Sequence, residues 1–177
     1  MKIVMVTGGQ SCGKSTFAQK TAENISGKRV YVATAQAFDQ EMEIKIQKHI
    51  EEREDKFDTI EEPLELDQAI LKTKEYDVVL LDCLTMWTSN IILNNENNEE
   101  AAVEKYLNNF LKSIEKLKNH SNIQKLIIVT NEVGWGIIPG NKLSRIFARL
   151  LGTVNKKIAK ISDEVYMMVS GIEVKIK

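Results

Sequence analysis

Thr7-Gly8-Gly9-Gln10-Ser11-Cys12-Gly13-Lys14-Ser15 is the stretch on which the fold turns. It follows Ile3 to Val6, a short apolar run suited to a buried strand. It opens Ser15 to Ile25, where Phe17, Ala18, Thr21, Ala22 and Ile25 recur at helical spacing. A G-x-x-x-x-G-K-S pattern between strand and helix is the context a phosphate-binding loop requires. Gly8, Gly9 and Gly13 let successive backbone N–H groups converge on an anion, and the following helix adds the positive end of its dipole. Lys14 then reaches the β- and γ-phosphates, and the Ser15 hydroxyl ligates Mg²⁺ between them. The plainer alternative is a glycine-rich turn with a solvated lysine.

Outward from the loop, Arg29 to Thr34 predicts a second strand, and Asp39 to Arg53 predicts an amphipathic helix with Met42, Ile46 and Ile50 on one face. His49 lies beside that face among Lys45, Lys48 and Arg53; by position alone it reads as a surface or satisfied core histidine rather than a catalytic one. Leu64 to Thr73 carries a weaker helical pattern. Asp77 to Asp82 is an apolar run ending in a carboxylate, the Walker B arrangement in which Asp82 meets Mg²⁺ directly or through water. The competing reading of Asp82 is a cap on the next helix, Leu84 to Leu93. Asn94 to Asn98 reads as a loop, Glu99 to Lys118 as a long helix with His120 solvated or capping at its end, and Lys125 to Thr130 as a further buried strand. The Asn131–Gly140 stretch joins glycines, Glu132 and Trp135 at that strand's C-terminal end, where α/β sheets bind ligands. A helix over Lys142 to Ser162 and a hairpin over Val165 to Ser170 and Ile172 to Ile176 complete the chain.

This alternation predicts a P-loop NTPase-like α/β fold: a mostly parallel sheet with helices on both faces and a C-terminal antiparallel hairpin, in one domain spanning residues 1–177. The chain has 177 residues, 43% of them hydrophobic, enough for one substantial core. A net charge of −1 excludes the broad basic field that binds nucleic acid or anionic membranes, so positive charge must be focused at the loop. No run approaches the length of a membrane span. Cys12 and Cys83 make neither a disulfide framework nor a metal pattern, which points to a reducing cytoplasm. Trp87 and Trp135 are assigned to core or subunit contacts rather than to stacking on a ligand.

Several motifs taken together are far more specific than any one. TGGQSCGKS, YVATAQAFDQEM, the K-I-x-x-H-x-x-x-R run through Lys45, His49 and Arg53, TIEEPLEL, LLDCLTMWTSN, TNEVGWGIIP, Arg145, LGTVN and VSGIEVKIK occur in order along the chain. In this the sequence resembles the bifunctional adenosylcobinamide kinase/adenosylcobinamide-phosphate guanylyltransferase family of cobalamin biosynthesis. The resemblance implies phosphorylation of the aminopropanol hydroxyl of adenosylcobinamide by ATP or GTP. It further implies transfer of GMP from GTP to the new phosphate through a guanylylated histidine, here His49.

The resemblance also implies nucleotide contacts at Gly8, Gly9, Gln10, Ser11, Cys12, Gly13, Lys14 and Ser15, at Ala33, Thr34 and Ala35, at Ile50, Glu51, Glu52 and Arg53, and at Glu61 and Asp82. Lys14 and His49 would carry the chemistry, Ser15 and Asp82 would hold Mg²⁺, the partner is a corrinoid, and the assembly is a homotrimer. The chain departs from the family pattern in two places, the centre of the phosphate loop and Lys45. Gln10, Ser11 and Cys12 stand where G-G-A-R-S-G-K-S is usual, which removes an arginine near the phosphates. Lys45 replaces an arginine one turn before His49, keeping the charge but losing the bidentate fork. A small-molecule kinase without a covalent step, or a GTP-dependent binding module, are the rival readings.

Overall fold

The computed structural model describes residues 1–37, 40, 43, 44, 47, 51 and 54–177. Seven strands form one sheet: β1 (Lys2–Gly8), β2 (Arg29–Ala33), β3 (Asp58–Glu61), β4 (Val78–Asp82), β5 (Lys125–Val129), β6 (Glu164–Val169) and β7 (Ile172–Lys175). Their order is β3-β2-β4-β5-β1-β6-β7, parallel throughout except for the antiparallel β6–β7 pair. The central strands are continuous apolar runs because both faces are covered. Ile3 and Met5 face one side, with α2 (Leu66–Leu71), α3 (Leu84–Leu93), α4 (Glu99–His120) and α5 (Lys142–Ile161). Val4 and Val6 face the other, against α1 (Lys14–Glu23).

The predicted architecture is therefore the observed one, with one strand added. β3 escaped the sequence reading because Asp58-Thr59-Ile60-Glu61 holds a single apolar residue and lies at the sheet's edge, where neither burial nor alternation marks it. Gln40, Glu43, Ile44, Gln47 and Glu51 are helical, as the pattern over 39–53 predicts. Trp87 is fully buried, its ring against Phe110 and its Nε1 donating to Leu64 O at 2.7 Å. The long α4 starts on Glu99 and Glu100 and ends on Lys118 and an exposed His120, a charge order that complements its dipole. Among the described residues no helix is long and apolar enough to cross a membrane.

Register is what builds the site. Glu61 pairs with Ala33, Ala33 with Asp82, Asp82 with Val129, and Val129 with Val6. Five parallel strands thus end along one row, and whatever follows each of them opens at the same edge.

Candidate functional site

The phosphate loop leaves β1 at Gly8, whose φ of 142° and surroundings both require glycine. A Cβ there would stand 2.6 Å from Met168 O and 2.8 Å from the Cys12 sulfur. Gly13, at φ 95°, ends the loop as the N-cap of α1 and offers no side-chain acceptor, so the first-turn amides stay open to an anion. No acidic residue sits in that first turn. The loop is buttressed from outside: Gly171 N donates to Cys12 O at 3.0 Å and Glu132 N to Gly8 O at 3.0 Å. The β6–β7 turn and the segment after β5 therefore both fasten it.

Lys14 is buried, and its ammonium donates back to Gly9 O at 2.5 Å, with the Cys12 sulfur 3.8 Å away. A cation held over the loop by a carbonyl is positioned for exchange onto phosphate oxygens. Ser15 Oγ donates to Asp82 Oδ2 at 2.8 Å. That contact turns Asp82 toward the loop, while Cys83 is the residue that caps α3, its sulfur accepting from Met86 N at 3.5 Å. A hydroxyl beside a carboxylate, below a phosphate loop, is a hard-oxygen donor pair that fits Mg²⁺, an ion completed by substrate phosphates and water.

Above the loop lies a cleft of about 920 Å³. The loop residues Gln10 to Thr16 form its floor; Ala33, Ala35, Gln36 and Ala37 after β2 and Glu61, Glu62 and Pro63 after β3 form one wall; Asp82, Cys83, Thr85, Met86 and Asn131 close it. The structure thus brings Gln10 to Ser15, Ala33, Ala35, Glu61 and Asp82 of the predicted set around one space, with Gly8 shaping the loop and Gly9 contributing the carbonyl that holds Lys14.

Thr34 sits differently. It is fully buried, and its hydroxyl donates to Cys83 O at 2.7 Å while accepting from Cys83 N at 2.8 Å, so its side chain ties β2 to β4 instead of facing the cleft. Glu51 is exposed, accepts from Gln47 Nε2 at 3.2 Å and does not line the cleft. His49, Ile50, Glu52 and Arg53, together with Lys45, lie outside the described residues.

Other lining residues were not singled out by sequence. Glu62 accepts from Leu64 N and Glu65 N at 3.1 and 2.9 Å and so starts α2, and Tyr31, Thr85 and Met86 enter from strand or helix ends. The available signal was position after a parallel strand, which did flag the segment after β5. There Asn131 N donates to Thr85 Oγ1 at 2.7 Å, and Asn155 bridges Thr130 Oγ1 and Asn131 O. Beyond Asn131 the same segment exposes Trp135 by 75% and Ile137 by 97%, which removes Trp135 from the core. Burial beside the Asp82 carboxylate pushes the Cys83 thiol up to about 12.

Comparison with known proteins places these observations. The chain is 36% identical over 182 residues to the bifunctional adenosylcobalamin biosynthesis protein CobU of Salmonella typhimurium LT2, covering 99% of each chain. It is 34% identical over 182 residues to the protein of the same name from Escherichia coli K12, again over 99% of each. The flagellar accessory protein FlaH of Methanocaldococcus jannaschii superposes with a TM-score of 0.54 at 13% identity, over 99% of this chain and 78% of that one, a likeness of fold alone. The family model described as cobinamide kinase / cobinamide phosphate guanyltransferase matches residues 4–176. With nearly its whole length matched and a phosphate loop over a Ser15–Asp82 pair, the chain belongs to the cobinamide kinase / cobinamide phosphate guanyltransferase family.

Proposed function

We propose that this enzyme phosphorylates adenosylcobinamide and then guanylylates the product, with His49 as the covalent carrier. In the first reaction the aminopropanol oxygen attacks the γ-phosphorus of ATP or GTP, the bond to the β-phosphate oxygen breaks, and the nucleoside diphosphate leaves. In the second, an imidazole nitrogen of His49 attacks the α-phosphorus of GTP and pyrophosphate leaves. A phosphate oxygen of the corrinoid then attacks the histidine-bound phosphorus, and the imidazole is released with adenosyl-GDP-cobinamide as product. Neutral imidazole is nucleophilic near physiological pH, and a phosphoramidate is labile enough to pass its nucleotide on.

The observation that carries this reading is the Ser15–Asp82 contact at 2.8 Å below a buried Lys14, at the floor of the 920 Å³ cleft. Mg²⁺ at Ser15 and Asp82 would neutralise the phosphate tail. Lys14 moves from Gly9 O to the β- and γ-oxygens, and the open amides of α1 take up further negative charge. Ala33, Ala35 and Glu61 receive the nucleoside, and Arg53 offsets charge at the α-phosphate while His49 attacks. The same reading makes the enzyme a cytoplasmic homotrimer. The exposed Trp135, Ile137 and Ile138 are the kind of apolar surface that assembly covers.

The test is incubation with α-labelled GTP. Acid-labile, base-stable label on the protein, lost in His49→Ala and discharged by phosphorylated cobinamide, is the expected result. Kinase turnover without any protein-bound label would leave a kinase with no covalent step.

A further inference from the structure

The wall opposite the phosphate loop is made of two short segments, 33–37 and 61–63, that leave neighbouring strands. Among the described residues, the backbone bonds that hold them lie where they begin: Thr34 N donates to Asp82 O at 3.2 Å and Glu62 N to Ala33 O at 2.8 Å. Pro63 has no N–H with which to extend that ladder. Among the described residues, one side chain joins the segments beyond this point. Asn90, fully buried on α3, donates through Nδ2 to Thr34 O at 2.9 Å and to Pro63 O at 3.1 Å.

Asn90 is an unusual choice for its place. Its helix packs Leu84, Trp87 and Ile91 into the main core, and a leucine of similar size would fill the volume. Its Oδ1 is buried without a hydrogen-bond partner among the described residues, so the amide leaves an acceptor unpaired. What the amide supplies and leucine cannot is a pair of donors aimed at two carbonyls, one from each wall segment.

We propose that Asn90 is a positioning residue that sets the spacing of this wall and, through it, the affinity for the nucleoside part of GTP but not for the phosphates. Asn90 itself does not line the cleft and acts through the Thr34 and Pro63 carbonyls. The inference rests on the proposed function in one respect, that segments 33–37 and 61–63 receive the nucleoside.

The experiment is calorimetric titration of the full chain with MgGTP and, separately, with magnesium tripolyphosphate. Asn90→Leu is expected to weaken MgGTP about tenfold while tripolyphosphate stays within about twofold, because the phosphate loop is fastened by other contacts. Asn90→Ala removes both donors without adding volume or charge and is expected to show the same split, so it decides the matter if the leucine variant does not fold. Parallel weakening of both ligands, or unchanged GTP affinity in a folded variant, overturns the proposal. So does failure of both variants to fold, since the amide would then be a requirement of the core. Equal affinity of the wild type for the two ligands sinks this proposal and leaves the activity to the labelling test. Corrinoid-independent turnover sinks the activity and leaves the split standing.

Discussion

The two ends of the cleft are built by opposite means. At the phosphate end the chemistry sits within nine consecutive residues: Gly8, Ser11 and Gly13 take positive φ, Lys14 brings the cation and Ser15 the hydroxyl that meets Asp82, with Gly171 and Glu132 bracing the loop from outside. At the other end, apart from the local turn that Glu62 makes with Leu64 and Glu65, the shape is set by residues remote in sequence. Thr34 is locked by the Cys83 peptide, Thr34 O and Pro63 O are held by Asn90 from 56 and 27 residues away, and the start of α2 is set by Glu62. Local encoding gives a motif that works in many sequences, whereas remote encoding ties the wall to one particular core.

The largest effect should come from breaking the local end. Gly8→Ala places a methyl 2.6 Å from Met168 O in a backbone region hostile to alanine. A loss of roughly 3 kcal/mol is expected, together with loss of nucleotide binding. Gly9 is the internal control, because a Cβ there meets nothing within 4 Å and its φ is not positive. Gly9→Ala should change stability by less than about 0.5 kcal/mol in a denaturant melt. If the two substitutions cost the same, the loop is not shaped by its glycines.

Much of this contrast governs what could be read before the fold was known. The phosphate loop, the buried runs of β1, β4 and β5, and the α4 stripe were legible because each is a pattern within one segment. That Asp82 meets Ser15 Oγ at 2.8 Å and leaves the cap of α3 to Cys83 depends on the fold and could not be read from its own segment. Family resemblance assigned Thr34 to the nucleotide, but the burial of its hydroxyl against Cys83 follows from strand pairing, which no single segment encodes. Asn90 lies in a run, LTMWTSNIIL, that reads only as an apolar helix. Its two carbonyl partners become neighbours through the β3-β2-β4 order, and β3 was the strand that sequence did not reveal.

The two cysteines sharpen the comparison, one within the loop and one where β4 passes into α3. Cys12 lies in the phosphate loop and Cys83 follows Asp82 at the start of α3, where burial and the neighbouring Asp82 keep its thiol neutral at ordinary pH. Iodoacetamide near pH 8 should therefore label Cys12 and spare Cys83, and MgGTP should slow labelling several-fold by covering the loop. Peptide mapping with and without nucleotide checks this. Equal rates in both conditions would mean that the nucleotide does not occupy the floor at Cys12.

The smallest expected effect lies away from the cleft, at the opposite edge of the sheet. There Asp77 pins the starts of the strands, its Oδ2 accepting from Lys28 N at 2.8 Å and its Oδ1 from Gln124 Nε2 at 3.1 Å. The Lys28 backbone bond, followed by the Gln124 bond, holds this carboxyl below its ordinary 3.8. A carboxylate depressed in the folded state contributes stability above its unfolded value and loses it as pH falls through the lower folded one. Asp77→Asn should therefore melt below wild type at neutral pH, and the gap should close as pH drops from about 3.8 downward. Affinity for GTP at neutral pH should not change, because this device holds the strands without touching either end of the cleft. A shift in GTP binding would mean that the two edges of the sheet are coupled, and that the wall depends on strand starts as well as on the side chains at their ends.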